Sequence, residues 1–126
     1  KITITLRKSY GGSHIVMGCK QLRADLNFAW PSSEIAVMGA SGAVAVLCGK
    51  EAKAKKEAGE DVKAFLAEKE QEYTDKFANP YQAAQYGYID DVIEPRNTRF
   101  RICRGLAQLA TKRQSLPAKK HGCMPM

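Results

Sequence analysis

The chain has few of the residues that build metal or redox centres. Among its 126 residues are two histidines, His14 and His121, and four cysteines. No two cysteines form a C-x-x-C pair, and neither histidine lies at a metal-ligand spacing. We therefore expect no metal to be bound by this segment. The cysteines are typical of reduced thiols in a cytosol-like compartment.

Long apolar runs are also missing. No stretch is long and apolar enough to cross a bilayer, so we expect no direct membrane insertion. No signal-peptide pattern opens the chain, since Lys1 is followed at once by a strand-like run. Residue 1 is not Met, and we therefore expect the chain to be part of a longer protein.

Acidic residues are absent from the last part of the chain. Eight of the 20 Lys and Arg residues follow Pro95, whereas none of the 13 Asp and Glu residues do. A basic arm of this kind either contacts nucleic acid or an acidic partner, or forms a solvated helix face. No aromatic-basic RNA platform or helix-turn-helix signature accompanies it. A basic interaction module remains an alternative function at this point.

The sequence does contain alternating strand and helix patterns. These predict an α/β fold with strands that are at least partly parallel. Strands are predicted at residues 2–6, 25–30, 34–39 and 89–93, and helices at 13–22, 40–47, 50–77 (in two pieces separated at Gly59), 81–86, and from a cap at Asn97 or Thr98 to a stop at Pro117.

The most informative local feature is the turn from Tyr10 to His14. A glycine pair, Gly11 and Gly12, stands between a strand and a helix, and Ser13 is the predicted N-cap. Glycine lets the backbone approach a ligand closely, and the first N–H groups of a helix have no partner inside it. The turn is therefore either a site for a phosphate or oxyanion or a plain strand-to-helix connection.

Two other features have competing interpretations. Gly39 to Gly42 predicts a second strand-to-helix turn, which serves either a ligand or tight helix-sheet packing. Asp90 and Asp91 suggest a metal or acid-base pair, but adjacent strand residues face opposite ways. We therefore do not expect them to converge on one ion.

Several segments together carry a family resemblance. They are RKSYGGS at 7–13, NFAWP at 27–31, EIAVMG at 34–39, FANPY at 77–81, GYIDDVIEPR at 87–96, LATKR at 109–113 and PAKKHG at 117–122. In this order they resemble the carboxyltransferase (β) subunit of biotin-dependent acyl-CoA carboxylases of the propionyl-CoA carboxylase type. They are equally similar to the α subunit of methylmalonyl-CoA decarboxylases. The resemblance covers nearly the whole chain.

The resemblance implies a ClpP/crotonase-like α/β fold, present only in part. Subunits of this family have two such domains with ββα superhelical cores. Residues 1–126 would be the C-terminal portion of the second carboxyltransferase domain, which receives biotin. The first domain, which binds acyl-CoA, would lie outside this chain, and the chain alone is expected to be inactive.

The implied activity moves a carboxyl group between N1 of biotin and the α-carbon of an acyl-CoA. One oxyanion site of the family steadies the thioester enolate, and the other steadies the ureido oxygen of biotin. Carried onto this sequence, the backbone N–H groups of Gly12 and Ser13 form the biotin-side site. Tyr10, Gly11, His14 and Ile15 are the expected pocket residues. The alternative activity is acyl-CoA decarboxylation.

The chain departs from the family beside this turn. Family members often carry Tyr-Asp where His14 and Ile15 stand, so the preferred acyl group is left open. The family also often has Ala at the position of Ser13, and either residue supplies an N–H donor. Since the family has no catalytic histidine here, we expect His14 to lie at the surface or behind the groups that touch the ligand.

The resemblance also implies partners and a location. Biotin would arrive on a biotin carboxyl carrier protein, acyl-CoA would be the other substrate, and the full subunit would assemble as a homo-oligomer, a hexamer in the family. No nucleic acid is needed to explain the basic final helix. The expected location is the bacterial cytoplasm or, in a eukaryote, the mitochondrial matrix.

Overall fold

The computed structural model describes residues 1–115. Five short strands and six α-helices occur in this range: β1 (Ile2–Thr5), β2 (Lys8–Tyr10), α1 (Gly11–Val16), β3 (Leu26–Ala29), β4 (Glu34–Ala36), α2 (Ala40–Leu47), α3 (Gly49–Glu57), α4 (Val62–Phe77), α5 (Pro80–Gln85), β5 (Asp91–Val92) and α6 (Thr98–Leu109). Single 3₁₀ turns at Lys20–Leu22 and Pro95–Asn97 complete the connections.

The strands form two sheets in which every pairing is parallel. One sheet has the order β1-β3-β5, with Ile2 opposite Leu26 and Phe28 opposite Asp91. The other pairs β2 with β4, with Tyr10 opposite Ala36. The expectation of an α/β fold with parallel strands is therefore confirmed.

The chain repeats one pattern of two strands followed by a helix. β1 and β2 lead into α1, and β3 and β4 lead into α2. The first strand of each unit belongs to the three-stranded sheet and the second to the two-stranded sheet. Because β2 and β4 are parallel neighbours, α1 and α2 both begin at the same edge of their sheet.

The core lies where α5 packs against the strands. Ala29 is fully buried there with Ala83 and Ile89, and Ile35 packs against this cluster. Proline at the first position of α5 has no N–H to leave unpaired, and the side chain of Asn79 caps the helix by accepting from the N–H of Gln82 at 3.1 Å. α5 therefore begins and ends one residue earlier than the predicted range of 81–86.

Several other boundaries differ from the sequence prediction. The helix predicted at 13–22 is instead α1, starting earlier and ending at Val16, because Gly18 at a φ of 113° breaks it. A Cβ at Gly18 would lie 2.9 Å from Thr3 Oγ1, and that hydroxyl donates to the Gly18 carbonyl. Ser13 is not the N-cap: Tyr10 holds that position, and Ser13 is the third helical residue.

The later elements agree more closely. α2 spans the predicted residues, and Gly59 at a φ of 77° separates α3 from α4 as expected. The strands predicted at 34–39 and 89–93 are shorter, covering only β4 and β5. Asn97 precedes α6, but its side chain makes no capping hydrogen bond. The predicted stop at Pro117 lies outside the described residues, as do His121 and Cys123.

No helix within residues 1–115 is long and apolar enough to span a bilayer. Among the same residues, no three or more His, Cys, Asp or Glu side chains gather closely enough to hold a metal ion. Asp90 and Asp91 have separate partners. Asp90 pairs with Lys20 at 2.7 Å, whereas Asp91 pairs with Arg101 at 2.6 Å. The two carboxylates therefore form ion pairs with different cationic side chains.

Candidate functional site

The turn between β2 and α1 has the geometry of an anion site. Tyr10 is extended, with a φ of −117° and a ψ of 137°, and the helix starts at the next residue. Gly12 and Ser13 therefore occupy the second and third helical positions, where an N–H has no carbonyl partner inside the helix. Both residues are exposed. The turn thus presents two adjacent backbone donors to the outside of the described chain.

The two positions of the turn that hold glycine differ in whether the fold has room for a side chain. Gly11 has a φ of 50°, and a Cβ there would lie 2.8 Å from the carbonyl oxygen of Val37. That distance is too short for any other residue. Gly12 has no heavy atom within 4 Å of where its Cβ would be. The fold requires glycine at position 11, whereas it leaves position 12 open toward the surface.

Ser13 holds the turn through its side chain. Its Oγ donates to the carbonyl of Tyr10 at 2.7 Å, reaching back across the first helical turn. The backbone N–H of Ser13 is not used in that bond. The side chain and the backbone donor of this residue therefore have separable functions.

His14 lies beside the turn and is half-buried. Its Nδ1 is 2.9 Å from the Oγ of Ser9, the preceding strand's middle residue. Burial lowers the pKa of the imidazole below its ordinary 6.5, so the ring is favoured in its neutral form. The contact with Ser9 fixes the orientation of the ring.

Tyr10 and Ile15, two other expected pocket residues, differ in burial. Tyr10 is half-buried, and its hydroxyl donates a hydrogen bond to Oε2 of Glu34 on β4. That bond raises the pKa of Tyr10 to about 12, because a neighbouring carboxylate disfavours the phenolate. Ile15, by contrast, is 46% exposed in the second turn of α1. Glu34, which lies 24 residues after Tyr10, is not among the pocket residues expected from the sequence.

The second strand-to-helix turn packs directly against the first. Gly39 caps α2 with extended backbone, and a Cβ there would lie 3.6 Å from Cε2 of the Tyr10 ring. Together with the approach of Gly11 to Val37, this brings the two turns into contact at two points. Gly39 therefore packs against the first turn, whereas Ser41 and Gly42 in the first turn of α2 are exposed, so both interpretations of Gly39–Gly42 stay open.

A separate cleft lies between β3 and α6, away from the turns. It is lined by Leu26, Phe28, Asp90, Asp91, Arg101, Arg104, Gly105 and Gln108. The ion pair of Asp91 with Arg101 lies within it. None of the expected site residues contributes to this cleft.

Repeated ββα units with open backbone donors at a strand-to-helix turn define the class of this protein as a crotonase-like α/β fold, present in part. The chain matches the carboxyl transferase domain over residues 1–124 and belongs to that family.

Three relatives illustrate the similarity. The chain is 51% identical to the propionyl-CoA carboxylase beta chain of Saccharopolyspora erythraea and 53% identical to the methylmalonyl-CoA carboxyltransferase 12S subunit of Propionibacterium freudenreichii, over 99% of its length in each case. It is 49% identical to the methylmalonyl-CoA decarboxylase subunit alpha of Propionigenium modestum over its full length. It spans 23%, 23% and 24% of these relatives, respectively.

A solved structure gives the same result. The chain resembles the transcarboxylase 12S crystal structure, a hexamer with methylmalonyl-coenzyme A bound, with a TM-score of 0.85 and 52% identity. The match covers 100% of this chain and 24% of that one. The family and the fold expected from the sequence are thereby confirmed.

Proposed function

We propose that this chain is the C-terminal portion of the second domain of a two-domain carboxyltransferase subunit. Its length, about a quarter of that of its relatives, supports a portion of a longer subunit. So does the surface: Val16, Met17, Val37, Val46 and Leu47 are each at least 70% exposed. Such apolar side chains gain free energy from burial, which further parts of a longer subunit would provide.

The proposed activity is transfer of a carboxyl group between carboxybiotin and an acyl-CoA of the propionyl-CoA or methylmalonyl-CoA type. The single observation that carries it is the open turn at Gly12 and Ser13. Two backbone donors next to a position without a Cβ suit an oxygen atom that gains negative charge during the reaction. Biotin, when bound, supplies the nitrogen that carries the carboxyl group.

This chain's own residues provide the donors and their support. The N–H groups of Gly12 and Ser13 would bind the ureido oxygen. The hydrogen bond from Ser13 Oγ to the Tyr10 carbonyl and the contact of Gly11 with Val37 hold those donors in place. Because the donors are fixed before the reaction, little reorganisation is needed as the charge develops.

The residues around the donors form one wall of the proposed pocket. Tyr10 and Gly11 contribute through the backbone of the turn, and His14 contributes through a ring held by Ser9. Ile15 presents an apolar, partly exposed side chain at this wall. We propose that this apolar group influences which acyl chain is accepted.

The proposal also covers the partners and the assembly of the full-length subunit. Acyl-CoA would enter from the first domain of a neighbouring subunit, and biotin would arrive on its carrier protein. The hexamer named for the transcarboxylase 12S structure supports a homo-oligomer for the whole subunit. Relatives in bacteria and in rat mitochondria support a bacterial cytoplasmic or mitochondrial matrix location.

A second candidate is decarboxylation of the same class of acyl-CoA. It is favoured by the 49% identity to a methylmalonyl-CoA decarboxylase subunit alpha. The proposed biotin-side site serves either direction, since both need charge stabilised on the same oxygen. The two activities are distinguished by purifying the full-length subunit with its natural partners and testing both reactions.

The test of the site uses two substitutions at Ser13 in the full-length subunit. Ser13→Pro removes the backbone donor, whereas Ser13→Ala keeps it and removes only the Oγ bond to Tyr10. We expect Ser13→Pro to lower turnover by about 10²–10³-fold, as loss of one oxyanion donor does, and Ser13→Ala to lower it far less. Equal turnover in Ser13→Pro and wild type would refute the proposed role of this N–H.

A further inference from the structure

The Tyr10 side chain connects the two strand-to-helix turns. Its hydroxyl reaches Glu34 at the start of β4, and its ring lies against Gly39 at the start of α2. The carbonyl of the same residue accepts from Ser13 Oγ at 2.7 Å. One residue is therefore fixed by its hydroxyl, its ring and its backbone.

The backbone register makes this connection specific. Tyr10 lies opposite Ala36 in the parallel ladder, and Lys8 lies opposite Glu34. The Tyr10 hydroxyl thus reaches back along the neighbouring strand to a residue two positions before its own partner. A shift of β2 along β4 would break the hydroxyl bond and also move Gly11 into or away from Val37.

We propose that Tyr10 is a positioning residue for the carboxyl-transfer site, acting through Glu34 to set the direction of the Gly12 and Ser13 N–H groups. The donors begin two residues after Tyr10, with only Gly11 between them. Gly11 alone would not hold the turn, since glycine has the greatest backbone freedom. The inference rests on the proposed function, because the donors matter only if they bind a developing charge.

The chemistry of the pair suits a permanent support. With its pKa raised to about 12, the Tyr10 hydroxyl keeps its proton at any working pH and remains the donor. A phenol-to-carboxylate bond is a charge-assisted hydrogen bond, which is shorter and stronger than a neutral one. The pair therefore holds the turn without itself taking part in proton transfer.

The test compares Tyr10→Phe, Glu34→Ala and Glu34→Gln in the full-length subunit, with biotin carrier and propionyl-CoA as the probes. Tyr10→Phe removes only the hydroxyl and keeps the ring against Gly39. We expect kcat to fall about tenfold or more while KM for propionyl-CoA stays within about twofold, since misplaced catalytic groups affect mainly the chemical step. Glu34→Ala should match it, and Glu34→Gln, which keeps an acceptor oxygen, should restore most of kcat.

The double variant Tyr10→Phe/Glu34→Ala should be no slower than either single variant, because both remove the same bond. Tyr88→Phe is the matched control: Tyr88 is 44% exposed, and its hydroxyl makes no hydrogen bond within residues 1–115. If Tyr10→Phe lowers the melting temperature but leaves kcat unchanged, the pair is merely structural and the inference is overturned.

The same assay separates this inference from the proposed function. If Ser13→Pro abolishes turnover while Tyr10→Phe does not change kcat, only the positioning role is wrong. If neither substitution changes kcat, the biotin-side site itself is wrong. If both lower kcat and Glu34→Gln recovers it, both proposals are supported.

Discussion

Gly11 lies so close to Val37 that no side chain fits between them. A Cβ on Gly11 would be 2.8 Å from the Val37 carbonyl oxygen, and the Gly11 φ of 50° is itself unfavourable for other residues. The contact joins the first strand-to-helix turn to the segment that follows β4. Its neighbour Gly12 has free space on the corresponding side. The pair therefore combines a structural glycine with one that leaves room for a ligand.

Alanine at each of these positions should have opposite effects. Gly11→Ala should lower the free energy of unfolding by about 1–3 kcal/mol, because of the positive φ and the clash with Val37. Gly12→Ala should leave stability unchanged or slightly raised, since alanine favours the helix by about 1 kcal/mol. Its methyl group would nevertheless occupy the open position beside the N–H donors, so turnover should fall. Denaturant unfolding and turnover of the full-length subunit measure both effects.

The result for Gly12→Ala is the informative one. Normal stability with lost turnover would mean that the open space is used by the reaction. Normal stability with normal turnover would contradict close approach of any ligand at Gly12.

The glycine pair was predictable from the sequence because its signal is local. Gly-Gly between a strand pattern and a helix pattern already predicts an open turn. The sequence could not separate the two glycines, because the contact of Gly11 with Val37 joins residues 26 positions apart. The hydroxyl bond of Tyr10 to Glu34 was missed for the same reason.

The ends of the helices also depend on both local signals and contacts between residues distant in the sequence. α1 is shorter than its sequence pattern suggests. Thr3 on β1 donates a hydrogen bond to the Gly18 carbonyl and so fixes the backbone conformation that ends the helix. α5 begins within one residue of its predicted start, because the signals at Asn79 and Pro80 lie next to the helix in the sequence. Local signals predicted the break at Gly59 and the cap at Asn79 but misplaced the N-cap of α1, and no local signal revealed the tertiary contacts.

His14 should make stability depend on pH below about neutrality. Burial lowers its pKa in the folded state from 6.5, so the unfolded chain binds the proton more readily. Stability should therefore be constant above pH 6.5 and fall as the pH drops from 6.5 to the lower folded pKa. His14→Asn removes this titration while offering an oxygen to Ser9 in place of Nδ1.

The melting temperatures of wild type and His14→Asn are measured between about pH 5 and pH 8. This range extends about one to two pH units on each side of the ordinary histidine pKa. The difference between the two proteins should change only on the acidic side. Ser9→Ala is the control, since it keeps the titrating ring and should retain the pH dependence. A constant difference across the whole range would show that His14 does not titrate differently on folding.

The side-chain caps of α4 and α5 should contribute measurably to the free energy of unfolding. Asp61 Oδ1 accepts from the N–H groups of Lys63 at 2.9 Å and Ala64 at 3.2 Å, at the start of α4. Asp61→Ala should cost about 1 kcal/mol in the free energy of unfolding, whereas Asp61→Asn keeps the acceptor and should cost less. Asn79→Ala removes the corresponding cap of α5 and should have a similar cost. Chemical denaturation reports both, and equal values for the alanine and asparagine variants at 61 would mean that the cap is not stabilising.

Gly105 should be the position of α6 least tolerant of a larger side chain. It is buried, and a Cβ there would lie 2.7 Å from Leu26 Cδ1 and 3.0 Å from Ile2 Cδ1. The close approach lets α6 pack on the three-stranded sheet. Gly105→Ala gains about 1 kcal/mol of helix propensity, which offsets part of the crowding because the contacted methyl groups can move. Gly105→Val adds two more carbons and should destabilise by about 1–3 kcal/mol.

Ala107→Val provides the matched control for this last change. Ala107 is exposed on the same helix, so valine there measures only the lower helix propensity of a β-branched residue. The free energy of unfolding should fall distinctly more for Gly105→Val than for Ala107→Val. Equal losses would mean that α6 does not depend on this close contact, and that the sheet and helix can separate to make room for a side chain.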